Sequence, residues 1–232
     1  MKTNKMTKTI IGLLAGLMLL SMSATAQAVW SDDLLANGDF TGAAIIPNAS
    51  GPLTSGQWYG SGTGWDLIAD FGNTGAYAKL TEENSVQHLI QAVQLSPPNS
   101  ATPGPVQVSF DYVALGLTPG QATVKLYGSN SPPQYNNGTL FAGDQLGMIS
   151  DIFLRNQTEW ASISPYIWDA LLGYTWYTID IYAKTQYHST NDNYFGVDNV
   201  SVVVSSVPVP SAVWLLGSGL IGMLAVRRRF SK

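Results

Sequence analysis

The 232-residue chain contains no cysteine. That absence excludes a disulfide framework, a thiolate zinc or iron–sulfur site and a thiol nucleophile. Histidine is nearly missing too, with only His88 and His188, so a Ser–His–Asp triad has few bases to draw on. No Gly-x-Ser-x-Gly elbow, His-Glu-x-x-His run or EF-hand loop occurs. Charged residues make up only 11% of the chain, and cations are scarce between its ends. All fifteen acidic residues fall between Asp32 and Asp198, with Lys79, Lys125, Arg155 and Lys184 against them. This middle stretch therefore carries a net charge near −11, while the whole chain is −4. A field of that sign repels phosphate backbones, so nucleic acid is not an expected partner.

Most of the cations sit at the two ends. Lys2, Lys5 and Lys8 precede an eleven-residue apolar run, Ile10–Leu20, too short to span a bilayer, and Ala26-Gln27-Ala28 follows as a small-x-small cleavage site. This pattern predicts a secretory signal peptide over 1–28, handled by signal peptidase and the secretion machinery, with the mature chain starting at Val29. A buried core helix with Gly12 and Gly16 as a packing pair is the alternative. At the other end, Val207-Pro208-Val209-Pro210 leads into an apolar stretch, Ala212–Val226, closed by Arg227-Arg228-Arg229. Those fifteen apolar residues measure about 22 Å as a helix against a hydrocarbon core of about 30 Å, and including Val207–Ser211 makes the segment just long enough. A transmembrane helix over about 212–226 is expected, with its basic end, 227–232, on the cytoplasmic side and the preceding domain outside. A buried hydrophobic helix is the alternative here as well.

The composite of Val207, Pro208, Val209, Pro210, then Trp214-Leu-Leu-Gly-Ser-Gly-Leu220, the short apolar span and Arg227, Arg228 and Arg229 resembles a PEP-CTERM sorting tail. The resemblance covers Val207–Arg229. It implies recognition by an exosortase, a membrane transpeptidase of Gram-negative bacteria that make exopolysaccharide. It further implies inner-membrane anchoring with the domain periplasmic, then release to the cell surface or matrix. One position departs: Val209 stands where the family has Glu between the prolines. The same stretch spells Gly217-x-Gly219-x-x-Gly222, but a dinucleotide cradle needs those glycines between a strand and a helix, and here they lie inside an apolar span.

Between these ends, residues 29–206 alternate in short runs broken by Gly, Pro, Asn and Ser. Val106–Tyr112 alternates strictly, as a half-buried strand does, and Ala76–Leu80, Val86–Leu95, Thr123–Tyr127, Trp176–Ala183 and Tyr194–Val204 read alike. Turn-rich stretches at Ser96–Pro105 and Ser129–Gly138 separate them. The fold expected is all-β, an antiparallel jelly-roll β-sandwich. One segment breaks the pattern: Ser164 as N-cap, Pro165 at the first helical position and Gly173 after the end predict a short loop helix.

The opening Leu34-Leu-Ala-Asn37-Gly38-Asp39-Phe40 with Gly64-Trp65, the middle Gln91–Leu95 with Val106–Tyr112, and the closing Phe195-Gly-Val-Asp198-Asn-Val-Ser201 are similar to galactose-binding-like jelly rolls, notably CenC-type carbohydrate-binding modules. On that resemblance Asn37–Asp39 is a tight turn, and Phe40 and Trp65 plug the core. It also implies a structural calcium between the opening turn and the last strand, with Asp198 as the matching carboxylate. Thr41 replaces the usual Glu after the Phe, and Asp70 is a substitute ligand. A carboxylate capping a turn without metal is the plainer alternative, and no other cofactor is expected.

Sugars are held by aromatic rings stacked on their apolar faces. Trp58, Tyr59, Trp160, Trp168 and Tyr187 are the candidate platforms, with Tyr135, Tyr166 and Tyr194 beside them, all in or next to predicted loops. Phe110 and Trp176 read as core. His88 lies inside a predicted strand as a polar-face residue, and His188 lies in a polar loop. Glycosidases need paired carboxylates across a cleft, and Glu82 and Glu83, as neighbours, would point to opposite sides of a strand. The function expected is therefore an exported, non-enzymatic, cell-envelope or matrix protein that binds polysaccharide. A structural matrix protein without a specific ligand is the second reading, and a glycan-active hydrolase the third.

Overall fold

The β-branched and aromatic alternation of residues 29–206 forms strands almost throughout the computed structural model, because each run finds a partner that buries its apolar face. The structure describes residues 29–30 and 33–206, apart from 63, 70–71, 74, 82–85, 96–104, 151–152, 154–155, 170–173 and 186–192. Fifteen strands are described: β1 Val29–Trp30, β2 Ile45–Ile46, β3 Gly51–Pro52, β4 Trp58–Gly60, β5 Trp65–Ile68, β6 Tyr77–Thr81, β7 Gln87–Gln94, β8 Pro105–Leu115, β9 Leu117–Ser129, β10 Gln134–Asn136, β11 Thr139–Phe141, β12 Asp144–Ile149, β13 Gln157–Asp169, β14 Trp176–Thr185 and β15 Tyr194–Ser206. The expected signal helix over 1–28 and transmembrane helix over 212–226 lie outside the described residues. Among the described residues no helix is long and apolar enough to cross a membrane.

Two main sheets face one core. The first runs β13-β8-β15-β6-β5 and the second β12-β9-β14-β7-β4-β2, antiparallel except for the β2–β4 pair. Period-2 alternation decides what goes inside. From the first sheet Val106, Val108, Phe110, Tyr112 and Ala114 point inward with Phe195, Val197, Val200, Val202 and Val204. From the second come Leu89, Val124, Leu126, Tyr177, Ile179 and Ile181. Each fully buried aliphatic or Phe side chain contributes about 1.5–3 kcal/mol relative to exposure, so this cluster supplies most of the driving force. A third, small sheet, β11-β10-β3, lies on the outer face of the second. There Leu53 and Tyr135 bury Tyr59, Ile90, Ala92 and Trp176 in a second apolar cluster.

The opening turn is as the sequence predicts. Asn37 and Phe40 take left-handed backbone (φ 52° and 54°), the Phe40 N–H donates to the Asn37 carbonyl at 3.0 Å, and Phe40 is wholly buried beside Trp58. Gly38 packs directly against the Val200 carbonyl, an approach that leaves no room for a Cβ, and its own carbonyl accepts the Val200 N–H at 2.9 Å. The first turn is thereby tied to β15 where that strand bulges past Asn199 (φ 51°).

The short helix expected from Ser164 is absent: residues 164–169 belong to β13. Tyr166, Ile167 and Trp168 pair with Val108, Gln107 and Val106, and a register shift between Ile163 and Tyr166 accommodates Pro165. The capping signals were local, whereas β8 offers a long ladder to an edge strand whose bulge tolerates a proline. The expected turn stretch Ser129–Gly138 likewise contains a strand, β10.

Candidate functional site

The second sheet presents its outer face through the residues that alternate with its core positions. Register lines them up in rows. One row holds Ile46, Tyr59, Ile90, Asp180, Lys125 and Met148. The next holds His88, Tyr182 and Thr123, and a third holds Ala92, Thr178, Tyr127 and Gln145. The small sheet covers the Ile90–Ala92–Trp176 part and forms a wall beside the rest. His88, Tyr182, Lys125 and Tyr127 remain half-buried next to that wall.

These side chains form one contact network. His88 Nδ1 lies 2.9 Å from Asp180 Oδ1, with the carboxylate 3% exposed and the imidazole 21% exposed. The buried carboxylate accepts from Nδ1–H and so orients the ring. The imidazole is flanked by Tyr182 at 5.4 Å and Tyr135 at 5.8 Å between ring centroids. Lys125 Nζ sits 5.0 Å from the centre of the Tyr182 ring, a cation–π distance. The Tyr127 phenol is pushed up to about 12, first by burial and then by the charges of Asp180 and Tyr182. Burial also raises Tyr135, offset by a hydrogen bond with Ser61 and reinforced by Asp180. Both phenols are therefore donors at neutral pH. Thr178 Oγ1 is buried on the same face with no hydrogen-bond partner. The surface thus combines the Tyr182 ring, a cation, an oriented imidazole and the Tyr127 phenol, the kinds of group that hold a polyhydroxylated ligand.

The sequence-predicted platforms are not brought together. Trp58, expected exposed in a loop, lies in β4 at 1% exposure and is core; its Nε1–H donates to the Asn37 carbonyl at 3.1 Å. Tyr59 is buried under the small sheet, where its hydroxyl accepts the Thr54 N–H at 3.0 Å, and Tyr135 is buried with it. These three rings are closed to a sugar because Trp58 faces the main core and Tyr59 and Tyr135 are packed between the second sheet and the small one. Trp160 and Tyr194 sit on the outer face of the first sheet, Trp160 edge-on to Tyr77 at 5.3 Å and Tyr194 beneath Lys79 Nζ at 4.9 Å. Trp168 and Tyr166 lie along the β13 edge with rings 5.9 Å apart, and Trp168 lies directly against Gly147 of β12. Tyr187, Asp70, His188, Glu82 and Glu83 fall outside the described residues.

Sequence reasoning missed Tyr182, Tyr127 and Lys125, each of which reads as an ordinary strand residue. It placed His88 on a polar strand face, where the structure has it. It also missed a cleft of about 660 Å³ at the end of β9, lined by Gln134, Phe141, Asp144 and Tyr174 among others. Phe141 stands 59% exposed there, while Asp144 is engaged by the Tyr174 hydroxyl at 3.0 Å.

The calcium expectation meets a mixed arrangement at Asp198. Its carboxylate is fully buried, and Oδ1 accepts the Asn199 N–H at 2.7 Å. A Cβ placed on Gly72 would lie 2.5 Å from the Gly75 carbonyl oxygen, 2.8 Å from that of Ala76 and 2.9 Å from Asp198 Oδ2. The Gly72 backbone therefore fills the space between these three oxygens, and the Gly75 carbonyl already accepts the Gly72 N–H at 2.7 Å. Among the described residues no group of three His, Cys, Asp or Glu side chains assembles, so the carbonyls would have to do much of the ligation.

Residues 206–229 match the PEP-CTERM protein-sorting motif, which supports export with the C-terminal segment at the membrane. No curated protein matches the chain by sequence. Among solved structures, it is similar to the enzymatically active domain of bacteriophage CBA120 tailspike protein 4, at 12% identity and TM-score 0.48 over 74% of this chain and 21% of that one. The chain thus spans about a fifth of the tailspike domain. It is also similar to the carbohydrate-binding module TmCBM61 in its complex with β-1,4-galactotriose, at 13% identity and TM-score 0.45 over 74% of this chain and 98% of that one. A CBM4 module matches at 14% identity and TM-score 0.36 over 64% of this chain and 86% of that one. The neighbours thus include carbohydrate-binding modules as well as an enzymatic domain.

Proposed function

We propose that this chain is an exported, non-enzymatic polysaccharide-binding protein, delivered by an exosortase-type system, with its ligand held on the outer face around Tyr182. Signal peptidase removes residues 1–28, the C-terminal segment anchors the chain in the inner membrane with the domain on the periplasmic side, and sorting then takes it to the cell surface or matrix. The observation that carries the binding reading is the Tyr182–Lys125–His88–Asp180 cluster. It is a half-open aromatic ring bordered by one cation and one oriented imidazole. The non-enzymatic reading rests on the same rows, in which Asp180 is the single carboxylate, is buried and is committed to His88. Glycoside hydrolysis needs two carboxylates across the scissile bond. A structural calcium held by Asp198 with the carbonyls of Gly75 and Ala76 would tie β15 to the loop before β6, a role in folding rather than in chemistry.

The test is affinity electrophoresis of the full chain in non-ionic detergent, through gels containing the producer's extracellular polysaccharide or a panel of neutral and charged glycans, with calcium and with chelator. Retardation by at least one glycan, lost in Tyr182→Ala and kept in Phe141→Ala, is the expected outcome. Loss in Phe141→Ala alone moves the site to the β9–β12 cleft. Absence of retardation on every glycan leaves the structural matrix reading in its place. Chelator is expected to lower the thermal midpoint if the Asp198 oxygens hold calcium, and an unchanged midpoint removes the metal.

A further inference from the structure

We propose that the ligand of this face is an acidic polysaccharide whose carboxylate is taken by the Lys125 ammonium; the inference rests on the glycan-binding reading above and specifies its ligand. Residues 29–206 have four cations against fifteen acids. Two of the four, Lys125 on β9 and Lys184 on β14, belong to neighbouring strands of the second sheet, at positions that alternate with the core residues Val124, Leu126, Ile181 and Ala183. They therefore share the outer face with His88 and Tyr182. In so acidic a stretch, cations are expected to be tied up by carboxylates. Among the described residues Lys125 forms no ion pair: its cross-strand partner is Asp180, yet that carboxylate is buried and hydrogen-bonded to His88.

The Lys125 ammonium is held over the Tyr182 ring instead. A cation so placed is positioned and partly desolvated by the ring, with its N–H donors free to meet an anion at the ring's margin. A sugar packed against the open edge of Tyr182 would bring an equatorial carboxylate to the ammonium over the ring, so ring edge and ammonium together read a uronate-type residue. A neutral sugar would use the ring and leave the ammonium unanswered. The net charge near −11 does not forbid a polyanion. At physiological salt, charges beyond about 8 Å are screened, and contact is decided by the groups within that radius. Charge elsewhere on the domain slows approach but does not cancel a local cation.

The test compares retention of the full chain in non-ionic detergent on polygalacturonate and alginate with retention on the same polymers after reduction of their carboxyls to alcohols. Expected are retention on at least one intact uronan, weakening as salt rises from about 0.05 M to about 0.5 M, and a loss of about tenfold on carboxyl reduction, the worth of one charge-assisted hydrogen bond. Lys125→Gln should reproduce that loss on the intact polymer and change nothing on the reduced one. Lys79→Gln is the control. It removes the same charge from an equivalent lysine-over-tyrosine contact on the other sheet and should leave retention unchanged. Equal retention on intact and reduced polymers, or equal losses in both lysine variants, overturns the acidic ligand while leaving glycan binding standing. Retention on neutral glycans alone has the same consequence. Failure on every glycan, charged or neutral, overturns both readings together.

Discussion

Two aromatic residues, Trp58 and Tyr182, separate what holds the molecule together from the face proposed to bind its ligand. Trp58 is fully buried, packs on Phe40 with ring centroids 5.0 Å apart, and spends its N–H on the opening turn. Trp58→Ala should lower unfolding stability by about 3–5 kcal/mol, the usual cost of emptying a buried aromatic site, and a shift of the urea midpoint checks it. Tyr182 is half-open and bounded by a lysine and a histidine, so Tyr182→Ala should lose glycan retention with a far smaller midpoint shift. Tyr127 makes a different prediction. Its proton is held up to about 12, against an ordinary value near 10 in the unfolded chain. The folded state binds that proton more tightly, so its stabilising effect is full below about pH 10 and disappears as pH rises through about 12. Tyr127→Phe should flatten the fall in stability across that window relative to the parent. An identical alkaline profile in the two proteins contradicts the assignment.

At the scale of the element, pairing overrides local signals. The run from Ser164 to Gly173 has an N-cap, a proline at the right place for a helix start and a terminating glycine, and is a strand up to Asp169 because β8 has an open side to fill. The bulge beside Pro165 is what lets a residue without an N–H stay in the ladder. The opposite dependence appears at Gly38, where a turn and a distant strand meet backbone to backbone. Gly38→Ala puts a methyl into the Val200 carbonyl and should cost about 1–3 kcal/mol by forcing the opening turn off β15. A urea midpoint equal to that of the parent would show that the turn and strand can separate freely. The small β11-β10-β3 sheet matters for function at this same scale, since it decides which part of the outer face is covered and which rings stay open.

At the scale of the whole molecule, the distribution of charge separates the roles of the segments. Basic residues mark the two ends proposed to meet membranes, and acidic residues mark the middle proposed to be exported. Residues Trp30–Ser206 form one compact unit with an apolar core of its own. Deleting residues 207–232 should therefore leave the thermal midpoint of the domain unchanged while moving the protein from the membrane fraction to the soluble periplasmic or extracellular fraction. Fractionation with immunodetection reads this directly, and continued membrane retention of the truncated chain would contradict a sorting role for the tail.

Sequence alone determined the class of the molecule, because composition, alternation and terminal patterning are properties of the chain taken in order. The strand runs at Val106–Tyr112, Trp176–Ala183 and Tyr194–Val204, the buried Phe40 and Trp65, and the sorting tail were all legible in this way. The ligand face was not. Tyr182, Lys125, His88 and Asp180 come from β14, β9 and β7, with His88 and Asp180 92 residues apart in the chain, and nothing in their local context distinguishes them from any solvent-facing strand position. Exposure was equally illegible, since Trp58, in the turn-rich run Ser55–Ser61, is core, while Tyr182, inside an alternating strand run, stays half-open. Whether a ring is core or platform depends on which side of its strand a second layer covers, and only strand register and sheet packing decide that.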